Sequence, residues 1–168
     1  MIVLFGVGCE DKVQPSVTAI PHETLPSQES WNSTVTFSDS ARVKAVLWAG
    51  HIVSYASQQQ TLLSDSVRVD FYNDAEQHTS LLTAHRGRVN DQTQDFAAYT
   101  NVVVISDSGT ILKTDSLFWK NSDRKILTEA FVEILSKTER IMGHGLVSDQ
   151  ALKNYRITRV TGQTVSKE

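Results

Sequence analysis

The sequence predicts an all-β protein with one domain of repeated antiparallel hairpins, preceded by an extended N-terminal tether. In the stretch Leu81–Leu146, Thr83, Thr114 and Gly143 open successive units 31 and 29 residues apart. An internal period of this size is typical of stacked supersecondary units that cannot bury their apolar faces alone. From Thr34 onward the chain also lacks proline and is rich in β-branched and aromatic residues, which favour strands.

The composition limits the class of protein. A chain of 168 residues is long enough for one domain with a sizeable core. The net charge is -3 and the 16 Lys and Arg residues are scattered, so we expect no nucleic-acid partner, which would need a basic stripe. The single cysteine excludes an intramolecular disulfide and a Cys-rich metal site.

Residues 1–9 resemble a truncated signal segment that ends in a lipoprotein cleavage site. Met1–Gly8 is apolar or Gly throughout and is too short to span a bilayer, which needs about 20 residues. The small Gly8 precedes Cys9, which is therefore the predicted site of lipid attachment, although Gly6 stands where such sites usually carry Leu. The alternative is a buried first strand with a core cysteine.

Three further segments follow this N-terminal part. Residues 10–33 contain all three prolines, Pro15, Pro21 and Pro26, among polar residues, and we interpret them as a flexible linker. Residues 34–162 form the predicted β domain, and residues 163–168 form a tail.

Strands and turns alternate along the domain. Predicted turns lie at Asp39-Ser40, Asn73-Asp74, Asn90-Asp91, Asp107-Ser108-Gly109 and Asn121-Ser122-Asp123. The segment Ala41–Ala56 is predicted to hold a pair of strands around Ala49-Gly50. The strand after it is half-buried, because Val67, Val69 and Phe71 point to one face while Arg68, Asp70 and Tyr72 point to the other.

The segment from Lys125 to Met142 has two interpretations. Its apolar residues also fit the spacing of an amphipathic helix. The strand centred on Val103 recurs 29 residues later at Val132, however. The repeat therefore predicts a strand, with Val132 and Ile134 on one face.

The sequence offers little evidence for catalysis. The tetrad Asp107-Ser108-Gly109-Thr110 matches an aspartic-protease signature, but such a site needs two aspartates, and a hairpin turn explains the same residues. The histidines show no metal-ligand spacing. We therefore expect a protein that is not an enzyme and has neither a metal site nor a cofactor.

Six short motifs occur in the same order as in a known family. They are Val69-Asp70-Phe71-Tyr72, Leu82-Thr83-Ala84 with Gly87, Asn101-Val102-Val103-Val104, Leu112 and Thr114 with Leu117 and Trp119, Ile126-Leu127-Thr128 with Val132, and Gly143 with Gly145-Leu146. This order resembles the LptC family of lipopolysaccharide export proteins, and the match covers roughly residues 31–161. The bridge protein LptA and the N-terminal domain of LptD share the repeat.

The resemblance implies an open antiparallel β-jelly roll, shaped like a trough, whose interior holds the acyl chains of lipopolysaccharide. Alternate side chains of such a sheet point inward. The predicted lipid-binding interior consists of Val67, Val69, Phe71, Val102, Val104, Leu117, Trp119, Val132 and Ile134. In an ordinary jelly roll the same residues form only the core.

The resemblance also implies partners and a location. The chain would receive lipid from the inner-membrane ABC transporter and pass it to a periplasmic LptA-like bridge, while anchored to the inner membrane through Cys9 or a missing N-terminal segment. The predicted docking edge for the bridge is Tyr155, Arg156, Ile157, Thr158, Arg159 and Val160; alternatively, its arginines only protect a sheet edge. Other interpretations are a bridge protein of the LptA type or a β-sandwich binding module without a transport role.

Overall fold

Ten β-strands make up the part of the chain that the computed structural model describes, residues 25–165. They are β1 (Gln28–Asp39), β2 (Arg42–Tyr55), β3 (Gln60–Tyr72), β4 (His78–Ala84), β5 (Arg86–Asn90), β6 (Phe96–Ser106), β7 (Ile111–Lys120), β8 (Lys125–Leu135), β9 (Glu139–Asp149) and β10 (Tyr155–Val165). A 3-10 turn at Ala56–Gln58 connects β2 to β3. The all-β prediction is confirmed.

The strands form one antiparallel sheet in the order β1-β2-β3-β4-β6-β7-β8-β9-β10. Strands β4 and β5 follow one another along β3, and β5 also pairs with β6. Within residues 25–165, β1 pairs only with β2 and β10 only with β9. Over these residues the sheet therefore has two free edges, β1 and β10.

The sheet is curled, so that distant strands face one another. Phe71 in β3 and Trp119 in β7 have ring centroids 5.2 Å apart, although two strands lie between them in the sheet. The side-chain amide of Gln150, in the β9–β10 loop, also donates a 2.7 Å hydrogen bond to the carbonyl of Tyr72 at the end of β3. These contacts give the sheet the shape of a trough with an interior and an exterior face.

A row of apolar side chains crosses the interior face at mid-height. Each member is the direct antiparallel partner of the next, and all are at most 2 % exposed: Leu47, Val69, Leu82, Val104, Leu112 and Ile134. Directly opposed residues point to the same face of a sheet. This central row therefore runs without interruption from β2 to β8.

A line of backbone irregularities crosses the sheet beside the central row. It passes through Gly50 in β2, Asp65 in β3, His85 between β4 and β5, Thr100 in β6, and residues 115–117 and 129–130 where β7 and β8 lose register. Bulges bend strands and increase their twist. This bulge line is where the long strands bend to curl the sheet.

Two boundaries differ from the sequence-based expectation. The predicted strand pair in Ala41–Ala56 is wrong, because β2 is one continuous strand and Gly50 is a bulge instead of a turn. A Cβ atom at Gly50 would lie 2.1 Å from the carbonyl oxygen of Asp65, so glycine serves close backbone approach here. Strand β1 begins at Gln28 rather than at Thr34. The expected strand in the ambiguous segment is confirmed, since β8 pairs with β7 and β9.

Candidate lipid-binding groove

The nine side chains predicted to form the interior all point into the trough. Their exposed fractions do not exceed 3 %, and they belong to one hydrophobic cluster: Val67, Val69, Phe71, Val102, Val104, Leu117, Trp119, Val132 and Ile134. They come from β3, β6, β7 and β8, where buried positions alternate with more exposed ones around these residues. In this conformation they fill the middle of the trough by packing against one another.

An open groove of about 450 Å³ lies beside them, between β1 and β5. Its floor is apolar and consists of Phe37, Leu47, Ile52, Leu63 and Val89. Its rim is polar and includes Ser30, Thr34, Thr36, Ser54, Thr61, Asp91 and Gln94. We call this space the first-strand groove. An apolar floor with a polar rim suits a ligand with an apolar chain and a polar head.

The sequence interpretation did not include the floor of the first-strand groove. In β2 the inward positions are Ala45, Leu47 and Ala49 before the bulge but Ile52 after it. The extra residue changes which positions face inward, so a simple period of two places Ile52 on the wrong face. A glycine in the middle of a strand was the available signal for this change.

An aromatic cluster closes the inner end of the groove. Phe37 forms part of the floor and meets Trp119 edge to face, with ring centroids 6.3 Å apart at 70°. On its other side Trp119 packs against Phe71. The indole Nε1 of Trp119 is buried and has no hydrogen-bond acceptor among residues 25–165. Such a donor is costly to bury unpaired and is available to an acceptor that enters the cluster.

A protein-family model matches nearly the whole chain. Residues 13–164 match the model of the family described as lipopolysaccharide-assembly, LptC-related. The chain belongs to this LptC-related family. No curated protein matches the sequence. Members of the family take part in lipopolysaccharide assembly and transport, face the periplasm and are typically non-catalytic.

The protease-like tetrad of this LptC-related chain is the hairpin turn between β6 and β7. The amide of Gly109 donates to the carbonyl of Ser106, and Gly109 has a φ of +90°. The Asp107 carboxylate accepts a 2.8 Å hydrogen bond from His78 Nδ1. The predicted turn is confirmed, and Asp107 faces a histidine instead of a second aspartate.

His78 links this turn to β3 of the LptC-related sheet. Its Nε2 lies 3.3 Å from Asp70 Oδ1, so the imidazole stands between two carboxylates. Arg68 donates two 3.0 Å hydrogen bonds to Asp70. The Arg68 guanidinium holds the pKa of the Asp70 carboxylate below its usual value of 3.8, with a smaller contribution from His78. These groups lie on the exterior face and stabilise the trough from outside.

Hydrogen bonds from the β9–β10 loop close one side of the trough. Ser80 Oγ donates a 2.6 Å bond to the carbonyl of Gln150, whose amide reaches Tyr72. Leu152 in the same loop is 2 % exposed and belongs to the core. The first-strand groove lies away from this closed side, next to the free β1 edge.

The predicted docking edge lies in β10. Tyr155 and Ile157 pack against the core, whereas Arg156, Thr158, Arg159 and Val160 are exposed. The Tyr155 hydroxyl donates to Glu139, and partial burial, followed by the Glu139 charge, raises its pKa above the usual 10.0. β10 has one free side, as docking by strand addition requires.

The predicted lipid-attachment residue and most of the predicted linker lie outside the described residues. Cys9 and the linker up to residue 24 lie outside the described part. Within residues 25–165, no group of His, Cys, Asp and Glu has the geometry to hold a metal ion. In the same part, no helix has the length and apolar character needed to cross a membrane.

Proposed function

We propose that this LptC-related chain binds the acyl chains of lipopolysaccharide inside the trough and passes the lipid from the inner-membrane ABC transporter to a periplasmic bridge protein, without catalysing a reaction. The observation that carries this proposal is the first-strand groove, whose apolar floor at Leu47 continues into the central row. Its volume of about 450 Å³ lies in the usual range for ligand pockets, roughly 300–1,000 Å³.

The interior supplies the free energy of binding. Burial of one methylene contributes about 0.8 kcal/mol, so several acyl chains in contact with water would cost tens of kcal/mol. An apolar surface that continues from β2 to β8 removes that cost at successive positions. Forward movement is left to the ATPase partner, and no chemistry is required of this chain.

The lipid enters at the groove and moves past Phe37. This side chain separates the groove from Trp119, so its rotation extends the cavity toward the nine predicted interior residues. The unpaired indole N–H of Trp119 then donates to an ester or amide carbonyl of the acyl chain. This movement turns the packed middle of the trough into part of the binding site.

The two sheet edges provide the contacts with partners. The β1 edge lies beside the groove and docks on the transporter, and the β10 edge, at Tyr155–Val160, docks on the bridge by strand addition. Lipid on Cys9, or a further N-terminal segment, anchors the protein to the inner membrane. The domain thus faces the periplasm between its two partners.

Photo-crosslinking in cells tests the proposal. A crosslinking residue at Leu47 (groove), Val104 or Val132 (interior) is expected to give lipopolysaccharide adducts. The matched control is Val103, the neighbour of Val104 on the exterior face. The absence of adducts at all three inward positions, in proteins that are expressed normally, would sink the transport function. Equal adducts at Val103 and Val104 would mean that the lipid is not held inside.

A further inference from the structure

Five arginines within residues 25–165 form no ion pair: Arg42, Arg86, Arg88, Arg156 and Arg159. Of these, Arg86 and Arg88 lie together on β5 and line one cavity. Arg68 pairs with Asp70, Arg124 with Asp74, and Arg140 with Glu133. By contrast, Arg88 has no hydrogen bond or ion pair within residues 25–165, and Arg86 makes only a 3.3 Å bond to the hydroxyl of Thr100. Their charges are therefore not neutralised by the fold.

Strand β5 holds both guanidinium groups on one side. Arg86 and Arg88 are two positions apart, so their side chains leave the same face. Gly87 between them points inward, where a Cβ atom would lie 2.7 Å from the ring of Phe96. The strand therefore lies close against the interior at this point, and both arginines are exposed on the exterior.

A cavity of about 680 Å³ lies between these arginines and the neighbouring strands. Aromatic and apolar side chains form its walls: Tyr55 and Val53 from β2, Leu62 from β3 and Tyr99 from β6. His51, held by Glu29 at 2.7 Å and stacked on Trp31, closes one end. Among the described residues that line the wall, Asp115 is the one carboxylate. Two guanidinium groups against one carboxylate give these lining residues a net positive charge.

This cavity lies on the other face of the strands that form the first-strand groove. Ile52, Leu63 and Val89 face the groove, and their neighbours Val53, Leu62 and Arg88 face the cavity. A polar cleft of about 230 Å³ borders both Arg88 and Val89, beside Gln59 and Asn90. A hydrophilic group attached to a chain in the groove therefore has a polar route around the end of the sheet.

We propose that Arg86 and Arg88 form a binding site for a phosphorylated saccharide, namely the head of the lipid whose acyl chains occupy the groove. Guanidinium groups bind phosphate oxygens with paired, charge-assisted hydrogen bonds. Tyrosine rings offer an apolar surface and a hydroxyl at low cost in conformational entropy, which suits the flat face of a sugar ring. The inference rests on the proposed function, because it assigns the head of the same lipid.

The test measures binding of deacylated, phosphorylated oligosaccharide from lipopolysaccharide to the full-length protein. Arg86→Gln with Arg88→Gln is expected to weaken binding by about tenfold or more, the effect of losing charge-assisted hydrogen bonds. The matched control, Lys137→Gln with Lys153→Gln, removes the same charge from two exposed residues outside the cavity and is expected to bind normally. All four positions are exposed, and equal melting temperatures of the variants check the fold.

Three other probes separate the sources of the anion. Phosphatase-treated oligosaccharide, inorganic phosphate and phosphatidylglycerol vesicles are each expected to bind more weakly than the phosphorylated oligosaccharide. Arginine-dependent binding of phosphate with equal affinity, or of vesicles alone, overturns the saccharide assignment. Unchanged binding by the arginine variant overturns the site.

The two proposals fail in different ways. If the oligosaccharide does not bind while Leu47 still crosslinks to the intact lipid, the exterior site is overturned and the transport function stands. If the oligosaccharide binds through the arginines but no inward position crosslinks, the transport function is overturned, and with it the assignment of this site to the head of a transported lipid.

Discussion

Trp119 in β7 packs its indole ring 5.2 Å from the phenyl ring of Phe71 in β3, and its other edge meets Phe37 in β1. These three strands are not neighbours in the sheet. Their contact exists only because the sheet curls, so Trp119 joins the two sides of the trough.

Trp119→Ala is expected to lower the free energy of unfolding by about 3–5 kcal/mol, because a large buried aromatic ring leaves a cavity. Urea unfolding followed by circular dichroism measures the change. The adjacent Phe118 is 39 % exposed, and Phe118→Ala is the control with a much smaller expected loss. Equal losses for both variants would contradict the role of Trp119 in joining the strands.

Gly50→Ala is expected to destabilise the protein by about 1–3 kcal/mol through overpacking. The new Cβ atom would lie 2.1 Å from the backbone oxygen of Asp65, which cannot rotate away. Gly162→Ala is the control, because its Cβ atom meets the flexible end of Met142 at 3.0 Å. Thermal melts compare the two variants, and a larger effect at Gly162 would count against a bulge at Gly50.

The stability of the protein is expected to decrease as the pH is lowered, because Asp70 becomes protonated. Its pKa is lower in the folded protein than in the unfolded chain, mainly because of Arg68. The stabilisation is therefore fully present above the pKa of Asp70 in the unfolded chain, near 3.8. It is lost as the pH falls through the lower pKa that Asp70 has in the folded protein. Arg68→Gln should raise the pKa of Asp70 in an NMR titration and reduce this acid-dependent part of the stability. An unchanged pKa would show that Arg68 is not its main cause.

Ile52→Trp is expected to fill the first-strand groove and to reduce lipid crosslinking at Val104 several-fold. Val46→Trp adds the same ring on the exterior face of β2, outside both the groove and the arginine-lined cavity, and leaves that crosslink unchanged. Crosslinking yield, normalised to expression, is the measurement. A similar loss for both variants would indicate a general disturbance of β2 instead of a blocked entrance.

Val160→Lys is expected to weaken binding to the bridge protein, because it places a charge at the free edge of β10 where strand addition would occur. Val165→Lys lies in the same strand but beyond the predicted docking residues, and both valines are more than half exposed. Pull-down from a periplasmic extract with the tagged bridge compares them. Loss of binding only at Val165 would move the contact to the end of the strand.

Much of the fold follows from local patterns in the sequence. In β3, inward apolar residues alternate with outward residues from Val67 to Phe71, and in β7 Leu117 and Trp119 lie two positions apart. This spacing predicted that they share the inward face, and all of them are buried there. The turn at Asp107–Thr110 was predicted because glycine allows the positive φ of a hairpin. In β8 the spacing of the apolar residues fits a helix as well as a strand. The internal repeat favoured the strand, which the structure has.

The first-strand groove was harder to predict because its two sides depend on features that alternation does not show. Ile52 faces inward only after the bulge at Gly50. The first part of β1, from Gln28 to Ser33, is polar and follows the prolines, so its composition is typical of a linker. It becomes a strand through its pairing with β2, which is a tertiary effect that local propensity does not capture.

The bulge line also affects how the gene for this protein can change. In β2, in β7 and between β4 and β5, the irregularity adds one residue and so exchanges inward and outward positions beyond it. Deleting Gly50 would restore simple alternation with Ile52 still inward, whereas straightening β2 with Gly50 retained would turn Ile52 out of the groove and His51 into it. Insertions and deletions in mid-strand are therefore expected where they create or remove a bulge, and alignments of relatives should show gaps at this line as well as in the loops.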